Sequence, residues 1–559
     1  MKKKYVRWTL WTIASPFILF IILCILIYLP PIQNFLVDKA AVYASEATGM
    51  NISVGRISLS FPLNLVVTDV DAASPHNDTL LSVRRLQVNV QLLPLLKKQV
   101  EVDGISLQGA TVNSNDLIHG MKLNGTLGEL FISSHGVALD PETAIVNKVL
   151  LKDTDLSLCL NDTAAADTAA SDTTYWKIIL QDIDLQNVSF ALDMPLDSLS
   201  LAASLDNAIL RDGLIDLHKS AYSLQTFRIE NGRVRYDNGK PLAADSLSSG
   251  LDPSHIALTD IGVKLDSLYY GGRNMKAIIS QFVLKERSGV EIVSATGRMV
   301  SNDKVLRVPS LKLETRDSYL ELNVAMDWNA LDFKDEGLVS ARLMADIGKP
   351  DVVRFMGSMD EKFIRQYPSE PLRIRTGIDG DLNKLKLTTL TAELPGALGL
   401  FARGELTHLT DSLLRGGDIT LEAETKDLKF VSTLAEGIEI PYGTRLEGKF
   451  TMAGTKMGTD LLLMQPEAQA VVAADTIPIT VYNDSISVAD DFKMERAARL
   501  FAKYDLSRDR YEADLAVNHF DLHQFMPADS LYTLSTRLKV EGKVLTFFLP
   551  VLISMRRAA

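Results

Sequence analysis

The sequence predicts a mainly β protein, with an N-terminal transmembrane helix followed by an elongated repeat sheet, either packed on itself as a sandwich or curled into a trough, and few short helices. Three observations carry this. The first 30 residues hold one long uncharged apolar run. From Asn51 the hydrophobic period changes from 3.6 to 2, the period of strands with one buried and one wet face. Under that alternation an apolar pattern recurs, so the chain reads as serially similar units rather than one globule.

Trp8 to Leu29 contains 22 residues and no charge, roughly 33 Å of helix and enough for a hydrocarbon core of about 30 Å. Lys2, Lys3, Lys4 and Arg7 precede it and predict a cytoplasmic N-terminus. Trp8, Trp11 and Tyr28 stand near its ends, where amphipathic rings favour the interface, and a membrane helix tolerates Pro16 inside. A cleaved signal peptide fits less well: the run is too long, and Tyr28-Leu29-Pro30-Pro31 is no small-residue cleavage site. Residues 1–31 are therefore read as cytoplasmic tip and anchor of a single-pass membrane protein, with the bulk across the membrane.

The formal net charge is −12, and the chain beyond the four N-terminal cations is more acidic still. This argues against nucleic acid and against a polybasic surface clinging to anionic head groups. Cys24 and Cys159 are the two cysteines, too few for a disulfide framework, so burial and sheet hydrogen bonds must hold the body.

Residues 32–49 read as a short juxtamembrane helix, with apolar Ile32, Phe35, Leu36, Val42 and Tyr43 at helical spacing and Gly49 as C-cap. It either lies on the membrane surface or plugs the end of a sheet. Residues 50–543 read as the repetitive sheet, in which Leu320, Leu322, Val324, Met326 and Trp328 alternate with Glu321, Asn323, Ala325 and Asp327. Asn161 to Thr174 reads as a solvated loop.

The repeat places apolar residues at offsets 0, 3, 5, 8 and 10. Val102, Ile105, Leu107, Ala110 and Val112 fit it, as do Leu180, Ile183, Leu185, Val188 and Phe190. Leu224, Phe227, Ile229, Gly232 and Val234 fit with glycine at offset 8, and Val146, Val149, Leu151, Thr154 and Leu156 with threonine there. A later copy is Leu382, Leu385, Leu387, Leu390 and Ala392. The pairs between offsets 5 and 8 in the first four are polar or glycine: Gln108-Gly109, Lys152-Asp153, Gln186-Asn187 and Glu230-Asn231. Either a two-residue hairpin, with offset 5 facing 8 and offset 3 facing 10, or a bulge or corner at that pair keeps these four apolar side chains on one face. A second recurrence, Asp351-Val-Val-Arg-Phe, Asp427-Leu-Lys-Phe-Val and Asp521-Leu-His-Gln-Phe, follows alternating strands and predicts short capped helices. Residues 544–559, VLTFFLPVLISMRRAA, break the pattern; they read as an atypical tail, such as a shifted reading frame leaves when a sheet stops early.

No catalytic constellation emerges, and neither a cofactor nor a metal is expected. His519 and His523 have ligand spacing only on a helix, and their surroundings read as a strand running into a cap. Gly443-Thr-Arg-Leu-Glu-Gly-Lys449 has phosphate-loop spacing, but Phe450 stands where Ser or Thr is required and the segment alternates like a strand.

In order along the chain, the anchor, the helix Ile32–Ala47, the segment Thr48-Gly-Met-Asn-Ile-Ser-Val-Gly-Arg-Ile57, the strand–turn–strand VNVQLLPLLKKQVEVDGISL ending at Leu107 and the repeat together resemble the AsmA-like family, TamB type, of translocation and assembly subunits. The resemblance implies an elongated curled sheet with an apolar groove, reaching through the periplasm from the inner membrane toward the outer one. It implies phospholipid transport for outer-membrane biogenesis, with an outer-membrane barrel as a possible partner. Members are typically longer and end in a domain that meets that barrel; no such domain is recognised here. The expectation is a non-enzymatic carrier of phospholipid, with Ile105, Leu107, Ile183, Leu185, Phe227, Ile229, Leu385 and Leu387 lining the groove. The alternatives are a scaffold for assembly of outer-membrane barrel proteins, with the same residues as ordinary sandwich core, and an exported hydrolase.

Overall fold

The computed structural model describes residues 29–60, 64–74, 79–90, 102–114, 121–138, 142–160, 175–239, 250–332, 337–356, 360–434, 437–466, 494–527 and 532–543. Trp8, Trp11, Pro16 and Tyr28 of the expected anchor, the loop 161–174 and the tail 544–559 lie outside them. No helix among the described residues is long and apolar enough to cross a membrane. The chain is mainly β, with few short helices, and divides into two compact units: Met1–Leu247 with Asp252–Glu291, and Ser248–Leu251 with Ile292–Ala559.

In the first unit, helix α1 spans Pro30–Thr48. It starts at Pro30 rather than Ile32, since a proline at the first helical position gives up no intrahelical bond. Gly49 closes it in the left-handed region, φ +70°, its N–H on the Ser45 carbonyl. The Ser45 hydroxyl accepts from the Ile52 N–H (3.0 Å), tying the helix end to the first strand. Phe35, Val42 and Tyr43 point outward, at 60, 52 and 77% exposure, so they do not plug the sheet.

The strands are β1 (Asn51–Ser60), β2 (Asn64–Ala73), β3 (Thr79–Val90), β4 (Val102–Asn113), β5 (Met121–Ala138), β6 (Thr143–Leu160), β7 (Lys177–Met194), β8 (Leu199–Asp216), β9 (Ala221–Leu224), β10 (Thr226–Asn238), β11 (His255–Gly271) and β12 (Asn274–Glu286). Each pairs with the next in an antiparallel ladder, with two variations. β6 and β7 run parallel. β9 and β10 lie end to end between β8 and β11, broken at Gln225.

The second unit continues with β13 (Glu291–Ser301), β14 (Val305–Thr315), β15 (Tyr319–Asp327), β16 (Leu338–Ile347), β17 (Leu372–Asp381), β18 (Lys384–Leu394), β19 (Leu398–Thr407), β20 (Gly416–Thr425), β21 (Arg445–Ala453), β22 (Lys456–Met464), β23 (Ala497–Asp505), β24 (Arg510–Asp521) and β25 (Thr533–Lys543). All thirteen form one up-and-down antiparallel ladder. A short helix, α2 (Trp328–Leu331), joins β15 to β16.

Such a ladder puts the links after β16, β20 and β24 at one end, and the three Asp-led segments fall in those links. The first holds α3 (Lys349–Met356) and α4 (Glu361–Gln366); the others hold 3-10 turns, Lys429–Thr433 and Leu522–Gln524. Asp427 and Asp521 accept from the N–H two residues on, at 3.2 and 3.1 Å, as caps do. Asp351 behaves differently. It sits inside the first turn of α3, 1% exposed, and accepts from the Thr315 hydroxyl, the Ser318 hydroxyl (2.6 Å) and Arg354 (3.0 Å). A buried carboxylate so paired clips the helix onto the β14–β15 turn. The buried cluster Phe363, Tyr367, Leu394, Ala397, Leu428 and Phe430 forms the cap's core, with Phe430 edge-on to Phe363 and Tyr367 at centroid distances of 5.7 and 5.1 Å.

Candidate functional site

The first four repeat copies fall on β4, β6, β7 and β9–β10, Leu224 of the fourth closing β9, and the ladder brings their equivalent residues side by side. Val88, Ile105, Ile132, Val149, Ile183, Leu210, Phe227 and Leu265 face one another in a transverse row from β3 to β11. Two residues along, Leu86, Leu107, Leu130, Leu151, Leu185, Ala208, Ile229 and Val263 form a second row. Six of the eight expected lining residues thus gather into two adjacent apolar rows. The intervening strands β3, β5, β8 and β11 supply the rest.

The polar pair at offsets 6 and 7 is not a hairpin: every strand runs straight through it. Its second residue takes the left-handed conformation instead, with φ of +61° at Gly109, +50° at Asp153 and Asn187 and +54° at Asn231. On β2, Asp69 does the same at +55°. Asn, Asp and Gly tolerate this region best. From β1 to β8 pairing keeps its register across the row, so this is a fold line shared by neighbouring strands rather than an inserted residue. Glycines face two of the kinks: a Cβ on Gly55 or Gly128 would lie 2.9 or 2.8 Å from the Cβ of Asp69 or Asp153. The kink brings residues three apart onto one face. A Cβ on Gly232 would meet Ile229 Cγ2 at 3.1 Å.

A second fold line explains offsets 0 and 3. Asp212 (φ +51°) lies on β8 between the Leu180–Gly213 and Asp182–Arg211 pairs, and Asn147 donates to Gln181 (2.9 Å) at the same level. In the next strand the break at Gln225 occupies that level, its N–H on the Arg211 carbonyl (3.1 Å). A Cβ on Gly213 would lie 3.0 Å from Leu210 Cδ2, again three residues away on one face. The five offsets are therefore one apolar face crossed by two fold lines.

The fifth copy restores phase by another device. On β18, Thr388 and Thr389 stand where β19 has only Arg403, a β-bulge. Leu385 and Leu387 flank it, facing Gly380 and Ile378 on β17 and Leu406 and Gly404 on β19. Leu382 of that copy is not in the strand; it is buried in the preceding turn. β14 carries the same bulge at Pro309-Ser310, opposite Asn323, at the same level of the ladder through Arg342 and Gly377. Farther along, Leu421, Gly448, Leu461, Leu500, Leu515 and Leu538 extend an apolar row to β25.

None of the eight expected lining residues is buried. Ile105 is 39% exposed and the other seven are half-buried. Phe190, Phe450 and Met457 on the same faces are 38, 40 and 40% exposed. The cap covers the face at one place: Leu394, at the end of β18, joins Phe363 and Phe430.

Opposite side chains carry the charge. Arg211 bonds Asp184 (2.7 Å) and pairs with Asp182, Arg499 forks onto Asp460 (2.8 and 2.5 Å), and Arg375 bonds Asp346 (2.7 Å). Asn187 donates to Asp153 (2.9 Å) and Ser189 to Asp155 (2.6 Å) across the parallel pair. Arg537 holds the Asp514 carboxyl below the usual carboxylate range. Gly443 to Lys449 runs into β21, His519 lies in β24 and His523 in the turn beyond. No protein-family model matches the chain, and no curated protein matches it in sequence.

Proposed function

We propose that the chain is a non-catalytic carrier of phospholipid acyl chains, anchored in the inner membrane by residues 8–29, with its sheet curled into a groove in the periplasm. The half-exposed state of the aligned apolar rows carries this reading. An apolar face over a whole ladder must be covered by something, and exposed contiguous patches of this kind mark binding surfaces. Acyl chains laid on it leave water at about 25 cal/mol per Å² of apolar area, while head groups stay outside. Because each row repeats strand after strand, no single position holds a chain more strongly than the next, and lipid moves along the ladder. The acidic, ion-paired opposite face keeps the sheet solvated.

The test is Ile183→Asp and, separately, Ile229→Asp, with bound phospholipid identified by mass spectrometry of the purified protein. The expected outcome is a folded chain, by circular dichroism, that has lost most of its lipid. Unfolding of both variants would place these residues in a closed core, and unchanged lipid on a folded chain would place them off the lipid's path; either outcome overturns the reading.

A further inference from the structure

We infer that the apolar face of the first unit ends, at one rim, in a head-group site that takes the phosphate of an anionic phospholipid. The inference rests on the acyl-carrying reading and adds to it a place where the lipid is held. Toward that rim the face closes with the row Ala144, Ile178, Ile215, Tyr222, Tyr270 and Met275, from β6 to β12. Tyr222 and Tyr270 stand opposite each other in it, their rings stacked with centroids 6.2 Å apart, and are 40 and 47% exposed. A tyrosine has an apolar ring and a polar tip, which suits a boundary between hydrocarbon and water.

Two turns lie just beyond the tyrosines: residues 217–220, joining β8 to β9, and 272–273, joining β11 to β12. They are neighbours, because Ala221 faces Asp216 on β8 and Gly271 on β11. They present Lys219 and Arg273, both exposed. In a chain of net charge −12, neither 217–222 nor 269–276 holds a carboxylate. The adjoining Asp216 is buried and accepts from the Lys219 N–H (3.0 Å). From the middle of the face outward, the chain therefore runs leucine, tyrosine, cation twice over: Leu224, Tyr222, Lys219 and Leu268, Tyr270, Arg273. A phospholipid has the same order: acyl chain, glycerol ester, phosphate. Tails laid on Leu224 and Leu268 bring the ester oxygens to the tyrosine hydroxyls, which donate, and the phosphate to the two cations, whose hydrogen bonds to it are charge-assisted. The acyl rows hold no position above another. The rim does, and it favours a net negative head group over a zwitterionic one.

The experiment uses the full chain in vesicles of equal parts phosphatidylglycerol and phosphatidylcholine, with a photo-crosslinking amino acid at Ile215, which faces Tyr222. Adducts there are expected to be mostly phosphatidylglycerol, whereas at Leu107, in the acyl rows away from this rim, they follow the vesicle composition. Lys219→Glu with Arg273→Glu is expected to lower the ratio of phosphatidylglycerol to phosphatidylcholine adducts roughly threefold at Ile215, with the melting temperature unchanged because both side chains are exposed. Tyr222→Phe with Tyr270→Phe keeps the rings and is expected to lower the yield of both adducts at Ile215. Inorganic phosphate, against chloride at equal ionic strength, is expected to leave the adducts in place. Four results would each overturn the head-group site and leave the acyl-carrying reading standing: wild-type adducts at Ile215 that follow the vesicle composition, a ratio unmoved by charge reversal, a yield unmoved by loss of the hydroxyls, or adducts displaced by inorganic phosphate, the mark of a free-phosphate site. Lipid adducts at neither Ile215 nor Leu107 would overturn both.

Discussion

At the scale of the residue, the fold lines rest on side chains that accept a left-handed backbone. Asn187 has φ +50° and an amide bond to Asp153. Valine there meets the steric penalty of that region, about 1–2 kcal/mol, and loses the amide bond. Asn187→Val is therefore expected to lower the denaturation midpoint, whereas Asn187→Gly stays close to wild type. Equal loss in both variants would mean that the amide bond, not the backbone, matters. Asp514 gives a pH dependence whose sign is fixed by Arg537. Its folded pKa is depressed, so the stabilisation is fully present above the ordinary carboxylate value near 4. It is lost as pH falls through the lower folded value. The protection of β25 amides against hydrogen exchange, relative to the intrinsic rate at each pH, is expected to fall at acid pH before that of β23, and Asp514→Asn to remove the difference.

At the scale of the element, alternation such as Leu86–Leu92 and Leu320–Met326 made the mainly β character legible, because a half-wet strand writes its period into the sequence. The offsets also held the fold lines: spacings of three between apolar residues of one face signal a kink. Only one of the two is legible in them, because the pair before offset 3 (Asp103-Gly104, Asn147-Lys148, Gln181-Asp182, Gln225-Thr226) is polar but carries no fixed residue. The hairpin and the corner could not be separated because both place the same side chains on one face. Strand partners remained illegible too: β6 and β7 pair in parallel although adjacent in sequence. The Asp-led segments were legible as caps, but the role of Asp351 was not, since Thr315 and Ser318 come from a turn more than 30 residues earlier. The cap itself is a local core. Phe430→Ala empties the space between Phe363 and Tyr367 and is expected to cost about 3–5 kcal/mol. Thermal unfolding that left the cap's unit as stable as wild type would show that these rings carry little of its stability.

At the scale of the whole molecule, each unit is a ladder whose apolar side is organised in rows and left half-exposed. That combination links sequence to function: a repeat with loose offsets becomes, after pairing, a strip of equivalent sites. The account stands on what covers the strip, which a photo-crosslinking amino acid placed in the full chain in cells reads directly. At Leu185 and Ile229, on the apolar rows, the account predicts adducts with phospholipid. At Asp184 and Arg228, their sequence neighbours on the opposite face, it predicts none. Adducts with polypeptide at Leu185 and Ile229, or no adduct at either face, would contradict it.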